Sequence, residues 1–91
     1  MSNSEIEKIS KALGDPYRLQ IMEAVKNKAG QMQCSAIVDM LDLAQPTISH
    51  HIKQLVDADL IIVQKDGRTT SYEINHEVMD RYIRFFDTYK E

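Results

Sequence analysis

The sequence has few of the features that mark secreted, membrane-spanning or catalytic proteins. Its 91 residues include a single cysteine, Cys34, so no disulfide can form within the chain. No apolar run approaches the roughly 18 residues that a membrane helix needs. The start MSNSEIEKIS lacks the basic and apolar regions of a secretory signal. A glycine-rich phosphate loop, a nucleophile motif and a convergent acid–base pair are missing too. We therefore expect a cytoplasmic protein that is not an enzyme and has no membrane partner.

Length and composition predict one globular domain over residues 1–91. Apolar residues make up 43% of the chain and charged residues 27%, which are ordinary globular values. A chain this short has a modest core, so further burial against a partner chain is plausible. The net charge of −3, from 11 basic and 14 acidic residues, argues mildly against nonspecific binding to nucleic acid. The charge is uneven, however, because residues 43–56 contain no acidic side chain.

Capping signals predict two helices in the first third of the chain. Ser4 and Glu7 have the spacing of a capping box, which predicts a helix that begins at Ser4 and ends at Gly14 in a left-handed conformation. Asp15 and Pro16 then suit the start of a second helix, which we expect to end near Ala29–Gly30. Its predicted inward residues are Leu19, Met22 and Val25.

The rest of the chain predicts a helix-turn-helix, a hairpin and a last helix. A short helix over 35–42 is followed by the turn LAQP and by a helix from Pro46 to Ala58. The letters KDGR then separate two β-branched segments, Ile61–Lys65 and Thr69–Asn75, which is a strong hairpin signal. The final segment, HEVMDRYIRFFDTYKE, predicts a helix with a broad apolar stripe.

The fourth predicted helix has one apolar side and one polar side. At 100° per residue, Ile48, Ile52 and Leu55 share the inward side, and Val56 borders them. The opposite side has hydrogen-bonding side chains, one cation and no carboxylate, a composition that suits the base edges and phosphates of a DNA major groove. Any surface helix has a polar side, but a hairpin with cations at its tip directly after a helix-turn-helix favours a winged helix that binds DNA.

Three segments together resemble the ArsR/SmtB family of small bacterial winged-helix repressors. They are KALGDPYRLQIMEAV, LAQPTISHHIKQLVDADLI and KDGRTTSYEIN, which span nearly the whole chain in the family's order. The resemblance implies a mainly α fold with a small β-hairpin, in the order α-α-α-α-β-β-α. It also implies a homodimer, joined through the first and last helices, that binds double-stranded operator DNA and often releases it when a ligand binds. The residues predicted to contact DNA are Gln45, Pro46, Thr47, Ser49, His50, His51, Lys53, Gln54, Lys65 and Arg68.

The dimer prediction also has support from the apolar pattern alone. The last helix has more apolar residues than a small monomer can bury, and the first helix adds a second stripe. The alternative to a dimer is that the last helix packs only on the core of its own chain. A separate alternative concerns His51, which could pack within the helix-turn-helix instead of contacting DNA. The predicted dimerisation residues are Ile6, Ile9, Leu13, Val78, Met79, Tyr82, Ile83 and Phe86.

The sequence offers no convincing metal site. The resemblance puts the family's paired cysteines at Gln33 and Ser35, with Cys34 between them. Cys34 is either a redox sensor, although the chain has no second thiol as its partner, or more simply a half-buried residue at a helix start. The last helix offers His76, Glu77, Asp80, Asp87 and Glu91, of which His76 and Asp87 of two chains could meet, although His76 is more simply a helix cap. We expect no cofactor and leave the inducer unknown. A winged-helix module that binds proteins instead of DNA is the alternative function.

Overall fold

A computed structural model describes residues 1–28 and 32–90 of the chain. Within them lie five α-helices, a three-stranded antiparallel sheet and a final 3-10 helix. The elements are α1 (Asn3–Leu13), α2 (Pro16–Asn27), β1 (Met32–Gln33), α3 (Cys34–Met40), α4 (Gln45–Asp57), β2 (Ile61–Asp66), β3 (Thr69–Ile74), α5 (His76–Phe85) and the 3-10 helix Asp87–Lys90. The predicted mainly helical winged-helix architecture is confirmed.

Helix α1 begins earlier than predicted. The hydroxyl of Ser2 accepts from the Glu5 N–H at 3.1 Å, and the Glu5 carboxylate accepts from the Ser2 N–H at 3.0 Å. The capping box is therefore Ser2 and Glu5, and the prediction of Ser4 and Glu7 is wrong. The pairs Ser2–Glu5 and Ser4–Glu7 have the same spacing, so the local sequence pattern does not distinguish them. The earlier cap makes the helix longer, and each added residue adds a backbone hydrogen bond.

The corner between α1 and α2 is closed by Asp15 as predicted. Its carboxylate accepts from the N–H groups of Tyr17 at 2.8 Å and Arg18 at 3.2 Å, and Pro16 occupies the first helical position. Gly14 has a φ of −84°, so its predicted left-handed conformation is wrong. The chain turns directly from the last α1 bond, Gly14 N–H to Lys11 O, into the new cap.

Helix α2 packs inward through two of its three predicted residues, Met22 and Val25, and the prediction for Leu19 is wrong. Ile21 and Val25 are fully buried, whereas Leu19 is 51% exposed and Met22 is half-buried. Both faces have apolar residues at helical spacing, so periodicity alone does not choose between them. The described part of α2 ends at Asn27, and the predicted end near residues 29–30 lies outside the described residues.

The wing is an antiparallel hairpin with one strand added to it. Strands β2 and β3 pair from Ile61 with Ile74 to Asp66 with Thr69, within one residue of the predicted ends. Gly67 has a φ of +64° at the first central position of the turn, which a type II′ hairpin requires. The unpredicted strand β1, only two residues long, pairs with β3 and gives the order β1-β3-β2.

The core lies where the helices meet the base of the hairpin. The Asn75 N–H donates to Leu60 O at 2.9 Å, which joins the end of β3 to the residue before β2. Leu60 itself is fully buried. The other side chains with almost no exposed surface come from α2, α3 and α4: Ile21, Val25, Ile37, Ile48 and Leu55.

The last predicted helix divides into two elements, α5 and the 3-10 helix. Its cap is Asn75, whose side chain accepts from the Val78 N–H at 3.3 Å, so the alternative role of His76 as the cap is wrong. None of the ten residues of α5, all of which the structure describes, is buried in the single chain. This helix therefore shows a half-covered apolar surface.

The observed capping box leads to a first prediction. Replacing Ser2 by alanine should lower the free energy of unfolding by about 1 kcal/mol, because the Glu5 N–H loses its acceptor. The matched control is Ser4→Ala, which should change it by less than about 0.5 kcal/mol. Urea unfolding at one fixed protein concentration measures both. An equal loss in the two variants would contradict the assignment of the cap to Ser2.

Candidate nucleic-acid interface

Helix α4 is positioned by its apolar side. Ile48, Ile52 and Leu55 are buried and Val56 is half-buried, as the helical wheel predicts. Their burial turns the other side of the helix to solvent. The exposed candidates for DNA contact on α4 are Gln45, Pro46, Thr47, Ser49, His50, Lys53 and Gln54.

The first turn of α4 has no side-chain cap. Its N-cap is Ala44, and no side chain of the described residues accepts from the first turn. The carbonyl of Ala44 accepts from the N–H groups of Thr47 at 3.0 Å and Ile48 at 3.1 Å. This end of α4 carries the partial positive charge of a helix N-terminus and no acidic side chain. It is compatible with a nearby phosphate.

The cation on α4 is paired in the free chain. Lys53 donates to Asp57 at 2.7 Å, one helical turn away. This hydrogen bond is the main reason that the pKa of Asp57 lies below its ordinary value. The predicted absence of carboxylates beside the polar face is therefore wrong at its end. Both side chains are exposed, and exposed ion pairs are weak, so Lys53 can exchange Asp57 for a phosphate.

His51 differs from its neighbours on α4 because its side chain is buried. The residue is only 8% exposed, and its Nδ1 lies 3.2 Å from Arg18 Nη1 and 4.0 Å from Asp15 Oδ1. The ring of Tyr17 lies beside it, with 5.9 Å between ring centroids. This burial does not support the prediction that His51 contacts DNA and agrees with the packing alternative. Sequence reasoning missed the junction with Arg18, although Asp15 and Pro16, just before it, are recognised as the start of the second helix.

The hairpin lies beside α4. A groove between them is lined by Ser49 and Lys53 from the helix and by Val63 from β2. The predicted wing cations, Lys65 near the end of β2 and Arg68 in the turn, are both exposed. Lys53 therefore lies in the groove beside the hairpin, and Lys65 and Arg68 lie further along the hairpin, towards its tip.

The predicted dimerisation residues fall into three groups. Ile9 is 3% exposed and belongs to the core of its own chain, so its assignment to a dimer surface is wrong. Ile83 forms the second group by itself, with 57% of its surface exposed. Helices α1 and α5 are joined by a 2.8 Å hydrogen bond between the hydroxyls of Ser10 and Tyr82. The remaining predicted residues are half-buried: Ile6, Leu13, Val78, Met79, Tyr82 and Phe86.

Potential metal ligands are dispersed. Across residues 1–28 and 32–90, no three His, Cys, Asp or Glu side chains are grouped closely enough to hold an ion. Cys34 opens α3 as a half-buried residue between the exposed Gln33 and Ser35. The thiol interacts with Tyr72, whose pKa is raised to about 12 by burial and then by the Cys34 thiol. Glu91 lies outside the described residues.

Comparison with known proteins identifies this arrangement. Residues 15–63, which include α2, α3, α4 and the start of β2, match the family model described as "Bacterial regulatory protein, arsR family". The chain belongs to the ArsR family. It is a DNA-binding transcriptional regulator of the repressor type and not an enzyme. The alternative of a protein-interaction module is not favoured by this membership.

Relatives with assigned names agree. The chain is 38% identical to the arsenical resistance operon repressor of Staphylococcus xylosus, over 88% of this chain and 75% of that protein. It is 30% identical to the transcriptional repressor SdpR of Bacillus subtilis, over 85% and 83% of the two chains. A crystal structure of an ArsR family transcriptional regulator superimposes with a TM-score of 0.87 at 23% identity, covering 99% and 91% of the two chains, and so supports the fold.

No helix in the described part of the chain is long and apolar enough to cross a membrane. The cytoplasmic location stays a prediction from the sequence.

The second prediction concerns how the stability of the fold decreases at acid pH. Burial alone would raise the pKa of Asp15, but the N–H groups of Arg18 and Tyr17, with the charge of the Arg18 side chain, bring it below its ordinary 3.8. A pKa that is lower in the folded state means that ionised Asp15 stabilises the fold above pH 3.8 and that this contribution is lost as the pH falls below it.

Asp15→Asn should therefore keep the cap at neutral pH and lose less stability on acidification than the wild type does. Asp15→Ala is the control, since it should be less stable already at pH 7. Urea midpoints measured from pH 7 down to pH 2.5 distinguish the three proteins. If the urea midpoints of the wild type and Asp15→Asn fell equally steeply with decreasing pH, Asp15 would contribute nothing to the loss of stability in acid.

Proposed function

We propose that the chain is a homodimeric repressor that reads operator DNA with the exposed side of α4 and holds the backbone with its wing. The observation that carries the proposal is the division of α4 into a buried apolar side and an exposed polar side, next to a hairpin with exposed cations. A recognition helix needs this division because the major groove offers donors and acceptors on its floor and phosphates along its edges.

The exposed side chains suit different parts of the duplex. Gln54 has the amide that pairs with adenine at N6 and N7, and His50 can donate to a guanine acceptor or a phosphate. Lys53, Lys65 and Arg68 are suited to phosphates, since a cation there gains affinity by releasing counterions whatever the base sequence. Thr47 and Ser49 lie on the first turns of α4, near enough to its N-terminus for phosphate or base contacts.

This division of roles makes a third prediction. Lys53→Ala and Arg68→Ala should weaken binding to all duplexes and reduce the slope of log affinity against log salt by about 1 each. Gln54→Ala and His50→Ala should instead narrow the difference in affinity between operator and scrambled duplex, by a factor of about 5 to 150 for each good base contact. Fluorescence anisotropy at two salt concentrations measures both quantities.

Asp57→Asn is the control for the cation on α4. It releases Lys53 from its partner and should leave affinity unchanged or raise it. If all four alanine variants bound operator as the wild type does, this side of α4 would not be the reading surface.

The argument for a homodimer is that α1 and α5 leave apolar surface uncovered in the single chain. Ile83 projects from α5 with more than half of its surface exposed, and half-buried apolar side chains surround it. A two-fold pairing of α1 and α5 would cover this surface in both chains at once. It would also set two recognition helices about 34 Å apart, one turn of DNA, so that a palindromic site binds both.

A fourth prediction follows from the dimer. Ile83→Glu should put a charge into the pairing surface, shift the protein towards monomer and weaken operator binding at least tenfold, because one half-site then binds alone. Leu19→Glu is the matched control, since Leu19 is a similarly exposed apolar residue on α2. Sedimentation velocity reports the oligomeric state of both. A variant at Ile83 that sediments like the wild type would remove α5 from the interface.

The signal that releases DNA differs, in this proposal, from the thiolate site of the family. The named relatives include arsenical resistance repressors, but the family's paired cysteine positions are Gln33 and Ser35 in this chain. A single thiol at Cys34 does not provide the several soft ligands that a thiolate metal site needs. We infer that release by a metal at this position is not part of its function.

A further inference from the structure

The Arg18 guanidinium joins three helices at one point. Its Nε donates to Ala12 O at 2.6 Å and its Nη2 donates to Lys11 O at 3.2 Å, both in the last turn of α1. These carbonyls have few partners within their own helix, and a cation at a helix C-terminus is favourable. The third nitrogen, Nη1, lies 3.2 Å from His51 Nδ1 in the middle of α4.

The chemistry of this contact determines which atom donates. Arginine has only donors, so His51 Nδ1 must accept, and the ring then carries its proton on Nε2. In the described residues this is the only side-chain hydrogen bond between α4 and another helix. The side chains that α4 buries in the core, Ile48, Ile52 and Leu55, are apolar, and apolar packing has no direction.

The junction lies beside the proposed reading surface. His51 follows His50 directly, and Thr47 and Gln54, four residues before it and three after it, are its neighbours on the helix surface. A small rotation or slide of α4 about this point would move all three side chains relative to the bases. Asp15 and the Tyr17 ring lie beside the imidazole at the start of α2, so the ring is held by these two residues as well as by Arg18.

We propose that Arg18 and His51 are a positioning pair that sets the orientation of α4 against α1 and α2 and thereby determines how selectively the protein reads its operator. The inference rests on the proposed function, because it assigns to a buried pair the orientation of the exposed side chains that read DNA. Neither residue needs to touch DNA. Their contribution is to sequence selectivity, and the phosphate contacts stay intact without it.

The test compares two substitutions at one buried position. His51→Leu removes the acceptor and keeps an apolar body, whereas His51→Asn retains an oxygen at about the position of Nδ1. The DNA probe is a duplex that the wild-type protein enriches from a randomised pool, with a scrambled duplex of the same composition as control. Affinities for both duplexes and the salt slope are measured for all three proteins.

We expect His51→Leu to lose about tenfold in affinity for the enriched duplex, while its affinity for the scrambled duplex and its salt slope stay as in the wild type. His51→Asn should bind the enriched duplex with an affinity close to that of the wild type. The proposal is overturned if His51→Leu matches the wild type, if both variants lose equally, or if His51→Leu loses equally on both duplexes, which a merely structural role would produce.

A measurement without DNA separates this inference from the proposed function. In the free protein, backbone amides of α4 should exchange hydrogen faster in His51→Leu than in His51→Asn, while the β2–β3 amides exchange alike. A wild type that enriches no sequence would defeat the proposed function, and the exchange rates would still show whether the pair holds α4. Should His51→Leu not fold, Arg18→Lys replaces it, since an ammonium cannot reach two carbonyls and the ring together. Equal α4 exchange in that variant and the wild type would overturn the proposal.

Discussion

Ile48, Ile52 and Leu55 insert one side of α4 into the core, and a rotation of the helix by one residue would expose at least one of them. Burying a side chain of this size contributes about 1.5–3 kcal/mol, so such a rotation would cost a large part of the stability of a small domain. The polar side of α4 faces solvent for this reason and needs no interaction of its own to do so. The proposed recognition surface is thus a consequence of the packing beneath it.

Apolar packing holds the helix in the core but leaves its tilt and slide less well determined. The Arg18–His51 junction adds a direction, because a hydrogen bond weakens quickly when its angle changes. Helices α1 and α2 meet at the same guanidinium, so the corner made by Gly14 and Asp15 and the middle of α4 are held as one unit. The surface proposed to read DNA and the surface proposed for the dimer are in this way connected through α1.

The charge of the protein also affects its selectivity. A net charge of −3 repels DNA in general, and Asp57 pairs with the one lysine on α4. The local cations are therefore few, and nonspecific affinity should be low. For a repressor that must find one site among many, the ratio of specific to nonspecific affinity matters more than affinity itself. An acidic protein with a small cationic surface is compatible with that requirement.

Much of this protein is determined by local pattern. The helix-turn-helix, the hairpin about Gly67, the Asp15 cap and the inward side of α4 follow from periodicity, turn residues and capping groups, which act over a few residues. The tertiary structure decided the rest: which of two serine–glutamate pairs caps α1, which face of α2 is buried, the pairing of β1 with β3, the inclusion of Ile9 in the core and the meeting of Arg18 with His51. Some of these features depend on contacts between residues far apart in the chain. The others are choices between two local patterns that fit equally well, and only tertiary packing selects one of the two.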